Sequence, residues 1–308
     1  MDPKDVLGLL EKNGLRGAIV PYHRVEEVKA EIGTLLKDGL LDEEFYNESI
    51  SLYFDEKLPR AIPRPKSILI VAAPDPQRRV TFYHGGEAFK FVVPPTYGTG
   101  AQVTRRIRSI LEDGQRGAPF KLVNASPPLK LLSVRSGVTM YGRNNITYSP
   151  GFGSFQRLTA FYSDLDPPEG YWGEKRTLPK CAKCRACVSA CPTAAISEDR
   201  FLLRAELCLT CMNEKTSEHA FPSWVKPEWH NAIIGCMICQ RVCPYNKEFA
   251  GEFEEGESFS EEETEYLLKG KYSDKKATLL SKKLKRAGLD ISIFPRNLET
   301  LLGRPKSK

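Results

Sequence analysis

Hydrophobic and polar residues follow two different periods along the first part of the chain. Helical spacing predicts helices over residues 3–12, 26–38 and 42–54, and a short apolar stretch predicts a strand over 18–22. Residues 67–73 are continuously apolar, which is typical of a strand covered on both faces and makes this run the best candidate for a central strand. The chain therefore mixes helix and strand from its first residues.

A hairpin is predicted after the central strand. Residues 80–83 and 88–93 are rich in β-forming side chains and flank His84-Gly85-Gly86-Glu87, whose glycines can take positive φ angles. The next predicted elements are a helix at 101–111, a strand at 120–123 and a helix at 129–135. The following residues, up to about Pro150, are rich in Gly, Asn, Ser and Tyr and are predicted to form a loop, a kind of segment that often carries function.

The sequence is expected to divide into two domains and a C-terminal tail. The stretch Pro167-Pro168-Glu169-Gly170 marks the expected boundary between an α+β cofactor and substrate domain over 1–168 and a cysteine-rich domain over 169–250. Residues 251–308 are expected to form a short, helical and basic tail, which contains the helix-capping pattern Ser260-x-x-Glu263. Its basic residues include Lys275, Lys276, Lys282, Lys283, Lys285 and Arg286.

Composition limits the class of protein. Of 308 residues, 41% are hydrophobic and 10% aromatic, which is enough to bury the cores of about two domains. No stretch approaches the roughly 20 apolar residues of a membrane span, and the first residues mix acids and bases instead of forming a targeting signal, so a cytoplasmic protein with no membrane partner is expected. The formal net charge of +6 is compatible with an anionic partner but does not by itself indicate one.

All nine cysteines lie between Cys181 and Cys243. Such clustering favours metal binding over a disulfide framework. Residues 181–192 have the pattern Cys-x2-Cys-x2-Cys-x3-Cys-Pro, which is typical of bacterial two-cluster ferredoxins, where the fourth cysteine binds the other cluster. The second half of the pattern is supplied by Cys208, Cys236, Cys239 and Cys243.

This spacing predicts a ferredoxin-like module with two 4Fe-4S clusters. Cluster one is predicted to bind Cys181, Cys184, Cys187 and Cys243, and cluster two Cys191, Cys208, Cys236 and Cys239. Cys211 is an alternative to Cys208 as a ligand. A pair of structural zinc sites is the other interpretation, although this run is not a zinc-ribbon spacing. Two neighbouring clusters transfer electrons one at a time. The domain before the cysteines is expected to use these electrons.

A family resemblance rests on three segments. They are Gly235-Cys-Met-Ile-Cys-Gln240-Arg-Val-Cys-Pro-Tyr-Asn246, Arg135-Ser-Gly137-Val-Thr-Met-Tyr-Gly142-Arg-Asn144 and Gly153-Ser154-Phe155. In order and spacing they resemble segments of the epoxyqueuosine reductases, which are related to the reductive dehalogenases. The resemblance covers roughly residues 60 to 250 and is strongest over the cysteines.

The resemblance implies a nitroreductase-like α+β first domain that holds cobalamin beside the proximal cluster. It also implies reduction of epoxyqueuosine to queuosine in transfer RNA, with an external electron donor of the flavodoxin or ferredoxin type. Glycines would let the backbone approach the macrocycle, while Asn and Arg would reach its polar groups. The implied pocket residues are Tyr141, Gly142, Arg143, Asn144, Gly153 and Ser154, and without the resemblance the same segment would be interpreted as a glycine-rich surface loop.

The proton donor is where the sequence departs from that family. The family carries an aspartate at the position of Asn124, and an amide can hold a substrate by hydrogen bonds but cannot act as a general acid. Tyr97, Tyr141 and Tyr148 are candidate replacements, with Tyr141 the first to test, and packing in a core is the alternative role of each. The four histidines form no spaced pair and are expected to be surface or loop residues.

Two further hypotheses remain open at this stage. The chain could be a two-cluster electron-transfer protein without a corrinoid, or a reductive dehalogenase-like enzyme. A flavin could replace the corrinoid, but no G-x-G-x-x-G motif follows a strand, so a Rossmann-type site is not supported. The lysines of the tail could contact transfer RNA, although a run of charges on a helix is usually a solvated face.

Overall fold

A computed structural model describes residues 2–54, 58–114, 120–170 and 172–303. The helices are α1 Pro3–Lys12, α2 Arg24–Lys37, α3 Glu43–Phe45, α4 Gly100–Asp113, α5 Leu129–Arg135, α6 Ala186–Ala190, α7 Leu209–Glu214, α8 Ile238–Arg241, α9 Glu261–Leu268, α10 Lys275–Ala287 and α11 Arg296–Leu302. The strands are β1 Arg16–Pro21, β2 Ser67–Pro74, β3 Gln77–His84, β4 Glu87–Val93, β5 Leu122–Ala125, β6 Met140–Tyr141, β7 Thr147–Tyr148, β8 Gln156–Ser163 and β9 Phe253–Phe259. Within the described residues, no helix has the length and apolar character needed to cross a membrane.

The chain divides into two compact units. Unit 1 comprises Met1–Pro74, Gly100–Arg185 and Glu198–Ala205, and unit 2 comprises Asp75–Thr99, Ala186–Ser197 and Glu206–Lys308. The hairpin of β3 and β4 thus belongs with the C-terminal tail, although it is inserted in the sequence of unit 1. These units differ from the three segments expected from the sequence, with boundaries at residues 168 and 250. The expected segments describe a division of functions, which stays a prediction.

Unit 1 is built on a four-stranded antiparallel sheet of order β1-β2-β8-β5. Every residue of β2 except Pro74 is buried, which confirms the predicted central strand with two covered faces. On one face Ile68 and Ile70 pack with residues of α2 and α5. On the other face Leu69 and Val71 pack with residues of α1 and α4. Strand β8, which pairs with β2 along its full length, was not predicted from the sequence.

The predicted helix over 42–54 is wrong as a continuous α-helix. After α3 the chain forms a π-helical turn over Tyr46–Ile50 and a 3-10 turn over Ser51–Tyr53. Tyr46, Ile50 and Phe54 are spaced four residues apart and all pack against the same core. Residues four apart also share one face of an α-helix, so this spacing could not distinguish the two turns from a continuous helix.

Unit 2 has a three-stranded sheet of order β4-β3-β9. The predicted hairpin is confirmed, with Gly85 at φ 60° and Gly86 at φ 76°. Strand β9 pairs in parallel with β3, so the tail is not helical throughout as expected. Glu and Gly disfavour strands, but the pairing partner and the burial of Phe259 override that propensity. The capping box of α9 at Ser260 and Glu263 is confirmed.

Aromatic side chains join the hairpin to the tail within unit 2. Phe82 of β3 stacks on Phe259 of β9, with ring centroids 4.5 Å apart and planes within 10° of parallel, and contacts Phe294 at 6.1 Å. All three rings are completely buried, and leucines of α9, α10 and α11 surround them. Much of the core energy of unit 2 therefore comes from this aromatic group.

Replacement of Phe82 by alanine tests this packing. Because the ring is fully buried between two other aromatic rings, Phe82→Ala should lower the free energy of unfolding by about 3–5 kcal/mol, measured by urea denaturation with circular dichroism. Tyr83 is the matched control, since it lies on the same strand and is 45% exposed. Tyr83→Ala should change stability by about 0.5 kcal/mol or less. Equal losses for the two variants would contradict the packing described.

Candidate iron-sulfur site

Short helices and turns position the cysteines. Cys187 lies within α6, Cys208 immediately precedes α7 and Cys239 lies within α8. Cys243 precedes a 3-10 turn over Pro244–Asn246. All nine cysteines lie in the described residues and none forms a disulfide. The cysteines therefore lie in or next to short helices and turns, which contain few regular backbone hydrogen bonds.

The ligand sets have to be inferred from chain spacing and from the neighbours of each thiol. Among the described residues, no three His, Cys, Asp or Glu side chains are placed so that they could hold one metal ion. The four thiols predicted for cluster two, Cys191, Cys208, Cys236 and Cys239, all belong to unit 2. Burial raises the pKa of Cys236, and the charges of Cys208 and Cys191 raise this pKa further. Three of the four predicted ligands are thus electrostatic neighbours.

The thiols of Cys208 and Cys211 lie close enough to form a hydrogen bond. The hydrogen bond from the Cys211 thiol is the largest cause that lowers the pKa of Cys208 to about 6, against the opposing effect of burial. The backbone and side chain of Thr210 add further hydrogen bonds that lower it. The two thiols are therefore direct neighbours, and the spacing of the cysteines keeps Cys208 as the predicted ligand, with Cys211 as its alternative.

Asn231, which was not predicted from the sequence, hydrogen-bonds to the predicted ligand Cys236. Its amide nitrogen donates to the Cys236 sulfur at 3.2 Å and to the Trp229 carbonyl at 3.1 Å, while its oxygen accepts from the Met237 backbone nitrogen at 2.8 Å. An amide donor to a ligand sulfur is one of the features that set the potential of an iron-sulfur cluster. The signal in the sequence for this contact is the position of Asn231, five residues before the predicted ligand Cys236.

The first cysteine of the module lies beside a cavity in unit 1. The Arg143 guanidinium donates to the Cys181 carbonyl at 2.8 Å, which ties the predicted pocket segment to the module. The cavity measures about 440 Å³, and its lining includes Arg143, Thr177, Leu178, Cys181, Arg200 and Phe201. The Nε atoms of Arg143 and Arg200 are buried with no hydrogen-bond partner among the described residues. The lining also includes the carboxylates of Glu198 and Asp199, so the cavity presents both charge signs to a ligand.

The other predicted pocket residues build a hairpin of β6 and β7. A Cβ on Gly142 would lie 2.5 Å from the Asn144 oxygen and 2.6 Å from the Tyr148 ring. Asn144 donates to the Tyr148 hydroxyl at 2.9 Å. Gly153, at φ 57°, exchanges backbone hydrogen bonds with Ser149, and Ser154 is buried next to it. Gly142 and Asn144 are therefore used by the hairpin itself, and Arg143 is the member of this segment that lines the cavity.

The two predicted catalytic residues lie on opposite faces of the sheet of unit 1. Tyr141 packs in the core that also contains Ala125 of β5. Asn124 points to the other face, where its oxygen accepts from Arg108 at 2.9 Å. Its strand partner Phe161 belongs to the core on that second face. Tyr141 and Asn124 therefore do not share a site.

The candidate tyrosines are all buried or hydrogen-bonded. Burial, reinforced by the charge of Glu31, raises the pKa of Tyr141 above its usual value. Its ring meets the edge of Phe201, which lines the cavity, at a centroid distance of 5.1 Å. Tyr148 is fully buried in the hairpin, and Tyr97 of unit 2 donates to Glu214. Tyr141 is the candidate that lies next to the cavity.

The histidines are placed differently from one another. His23 and His219 are exposed, as expected, and His84 pairs with Glu265 at 2.8 Å. His230 lies in a loop, as expected, but it is 2% exposed and bonded to Asn213, so it is not a surface residue. The burial of His230 could not be predicted from local sequence, because its hydrogen-bond partner Asn213 lies 17 residues away.

Comparison with known proteins begins with the cysteine module. Residues 180–246 match the family model described as "4Fe-4S double cluster binding domain". The chain carries a double 4Fe-4S cluster domain. This confirms the prediction of two clusters and excludes the zinc interpretation of the spacing.

The rest of the comparison concerns epoxyqueuosine reductases. The chain is 31% identical over 127 residues to the epoxyqueuosine reductase of Atelocyanobacterium thalassa, an alignment covering 40% of this chain and 39% of that protein. The chain thus spans less than half the length of the curated relatives it matches. The expected resemblance is confirmed.

Solved structures extend the similarity to the fold. The epoxyqueuosine reductase of Streptococcus thermophilus aligns with 97% of this chain and 80% of its own at a TM-score of 0.61 and 16% identity. An epoxyqueuosine reductase solved with an epoxyqueuosine-modified tRNA-Tyr stem loop covers 80% of this chain and 65% of its own at a TM-score of 0.54 and 20% identity. The predicted α+β fold class is confirmed.

The role of Gly142 can be tested by a substitution. Gly142→Ala places a methyl group against Asn144 and the buried Tyr148 ring, so it should lower the stability of the cofactor-free protein by about 1–3 kcal/mol. Gly33 in α2 is the control, because a Cβ there has nothing within 4 Å. Gly33→Ala should stabilise by about 0.5–1 kcal/mol. If Gly142→Ala left stability unchanged in thermal and urea denaturation, the glycine would serve a ligand and not the hairpin.

Proposed function

We propose that this chain is an oxidoreductase of the epoxyqueuosine reductase type, which reduces epoxyqueuosine to queuosine in transfer RNA. The observation that carries the proposal is the double-cluster domain at residues 180–246, set in a chain that resembles epoxyqueuosine reductases in sequence and in fold. The clusters supply single electrons, and the α+β unit supplies the surface on which they are used.

The ligand sets proposed are those of the spacing. Cluster one binds Cys181, Cys184, Cys187 and Cys243, and cluster two binds Cys191, Cys208, Cys236 and Cys239. The electrostatic proximity of Cys191, Cys208 and Cys236 supports the second set. The Asn231 amide acts on Cys236 as a hydrogen-bond donor.

We also propose that unit 1 holds a corrinoid. The cavity lining offers the guanidinium groups of Arg143 and Arg200 to the amide and phosphate oxygens of a corrinoid, beside the carboxylates of Glu198 and Asp199. A complete cobalamin is larger than 440 Å³, so the cavity would take one edge of it. When bound, the corrinoid supplies a strongly reducing cobalt centre. Tyr141, Gly142, Asn144, Gly153 and Ser154 shape the hairpin that presents Arg143.

Tyr141 is the proton donor that we propose, because its ring contacts Phe201, which lines the cavity. Burial raises the pKa of Tyr141 and makes it a weaker acid than a free tyrosine, so it would give up its proton only to a strongly basic oxygen such as an alkoxide. Asn124 has a structural role in this proposal, since it bonds to Arg108 on the opposite face of the sheet.

The proposed partners are transfer RNA and a flavodoxin-type or ferredoxin-type electron donor in the cytoplasm. The structure reduces the number of tail residues open to RNA phosphates. Lys276, Lys283 and Arg286 form ion pairs with Glu262, Glu263 and Glu257, respectively. Lys275, Lys282 and Lys285 remain as the proposed contacts within α10.

A second candidate function is electron transfer without a corrinoid. The observation that favours it is the use of Gly142 and Asn144 inside their own hairpin, which removes two of the residues expected to face the macrocycle. The two candidates differ in cobalt content and in activity on modified transfer RNA.

Metal analysis and turnover test the proposal together. After anaerobic purification and reconstitution with iron, sulfide and cobalamin, about eight iron atoms and about one cobalt per chain are expected. Chemically reduced protein should convert epoxyqueuosine in a tRNA anticodon stem loop to queuosine, a loss of one oxygen by mass spectrometry. Eight iron atoms with neither cobalt nor turnover would leave the electron-transfer function.

A pair of serine substitutions tests the ligand choice. Cys208→Ser removes a proposed ligand and should cost the signal of one cluster, with iron content falling from about eight to about four. Cys211→Ser replaces the thiol donor to Cys208 with a hydroxyl donor and removes no proposed ligand, so both clusters should be retained. Iron analysis and electron paramagnetic resonance of the reduced protein decide between them. Loss of a cluster in Cys211→Ser with retention in Cys208→Ser would reverse the assignment.

A further inference from the structure

Four buried polar residues of unit 2 form what we call the tail network: Asn213, His230, Arg296 and Asn297. Their exposed fractions lie between 1% and 9%. Arg296 and Asn297 begin α11 in the tail, whereas Asn213 lies in α7, five residues after the proposed ligand Cys208. Buried polar side chains are retained where they satisfy groups that would otherwise be unpaired.

The Arg296 guanidinium binds the end of α7. It donates to the carbonyls of Met212, Lys215, Thr216 and His219 at 3.0, 2.8, 3.1 and 2.5 Å. The last carbonyls of a helix lack partners and carry partial negative charge, so a buried cation satisfies both needs. Burial lowers the pKa of Arg296 to about 10, which leaves it charged at neutral pH. Lysine could not replace it, because an ammonium has only three donors and no planar fork.

Asn297 joins α7 to the segment that leads to Cys236. Its amide nitrogen donates to the carbonyls of Asn213 and Ile233, both at 2.9 Å. Its oxygen accepts from Arg296 at 2.8 Å, which fixes the orientation of the amide. Every hydrogen-bonding atom of the side chain is therefore used.

Asn213 continues the connection to the residue just before Cys236. Its amide nitrogen donates to the Gly235 carbonyl at 2.7 Å, and its oxygen lies 3.0 Å from His230 Nδ1. Because the oxygen can only accept, Nδ1 of His230 carries the proton. Gly235 has φ 65°, and a Cβ on it would lie 2.6 Å from the Tyr97 hydroxyl oxygen, so this turn is closely constrained.

We propose that Arg296 and Asn297 are positioning residues for cluster two. Through the tail network they set the distance between the α7 segment that carries Cys208 and the turn that carries Cys236, and the tail is thus part of the cluster-binding structure. The inference rests on the proposed cluster-two ligands. Helix α11 lies outside residues 180–246, which match the double-cluster domain, and the proposal gives it a role in positioning a cluster.

The test uses the full-length protein with both clusters. The variant is Arg296→Lys, and the second variant is Asn297→Asp, which keeps the acceptor for Arg296 but loses both donated bonds. Reduction potentials are measured by titration with electron paramagnetic resonance, and iron release is followed with a ferrous-iron chelator. The couple of cluster two is identified as the one lost in Cys208→Ser.

Both variants should shift the reduction potential of cluster two and leave that of cluster one unchanged. The iron of cluster two, half of the total, should be released about 10-fold faster than in the wild type. Arg286→Lys is the matched control, because Arg286 forms an exposed ion pair in the same tail and should change neither readout. Leu298→Ala, at a fully buried core position of α11, should lower the melting temperature without shifting either potential.

Two results would overturn the inference. If Arg296→Lys and Asn297→Asp lowered the melting temperature but left both potentials and the iron release rate as in the wild type, the network would only stabilise the fold. If they moved both potentials equally, it would not act on cluster two. A wild-type chain that failed to take up iron would instead refute the proposed function itself.

Discussion

Backbone carbonyls and amides in short, irregular segments must find partners, and this constraint governs the cysteine-rich part of the molecule. The helices α6, α7 and α8 span only four to six residues each, too few to satisfy their own terminal groups. Side chains from elsewhere in the sequence make up the difference. Arg143 bonds to the carbonyl of Cys181, Asn231 to the amide of Met237, and Arg296 to four carbonyls around the end of α7.

These partners also explain why polar residues are tolerated in the interior. A buried arginine costs several kcal/mol unless its donors are used, and the Arg296 donors are spread over four carbonyls and an amide oxygen. The face of the guanidinium lies 4.2 Å from the Phe221 ring centroid, which adds a cation-π contact. The interior of unit 2 thus combines an aromatic core around Phe82 with a polar group around Arg296.

Local patterns predicted local features well. The helix over Pro3–Lys12, the buried strand β2, the glycine hairpin and the capping box each depend on neighbouring residues, and each is present. Cysteine spacing predicted the double-cluster domain for the same reason. The features that were missed depend on distant partners. Strand β9 needs β3, and the separation of Tyr141 from Asn124 follows from the register of β5 on β8.

The pairing of β3 with β9 has a consequence for how the chain is made. The hairpin leaves the ribosome well before its partner strand, because roughly 170 residues separate His84 from Phe253. At about 5–20 residues per second, the open edge of β3 waits on the order of ten to thirty seconds for β9. During that interval it is an unpaired strand edge beside an aromatic cluster that lacks Phe259 and Phe294. Until β9 has been synthesised, the nascent chain therefore exposes a strand edge and apolar surface that favour aggregation.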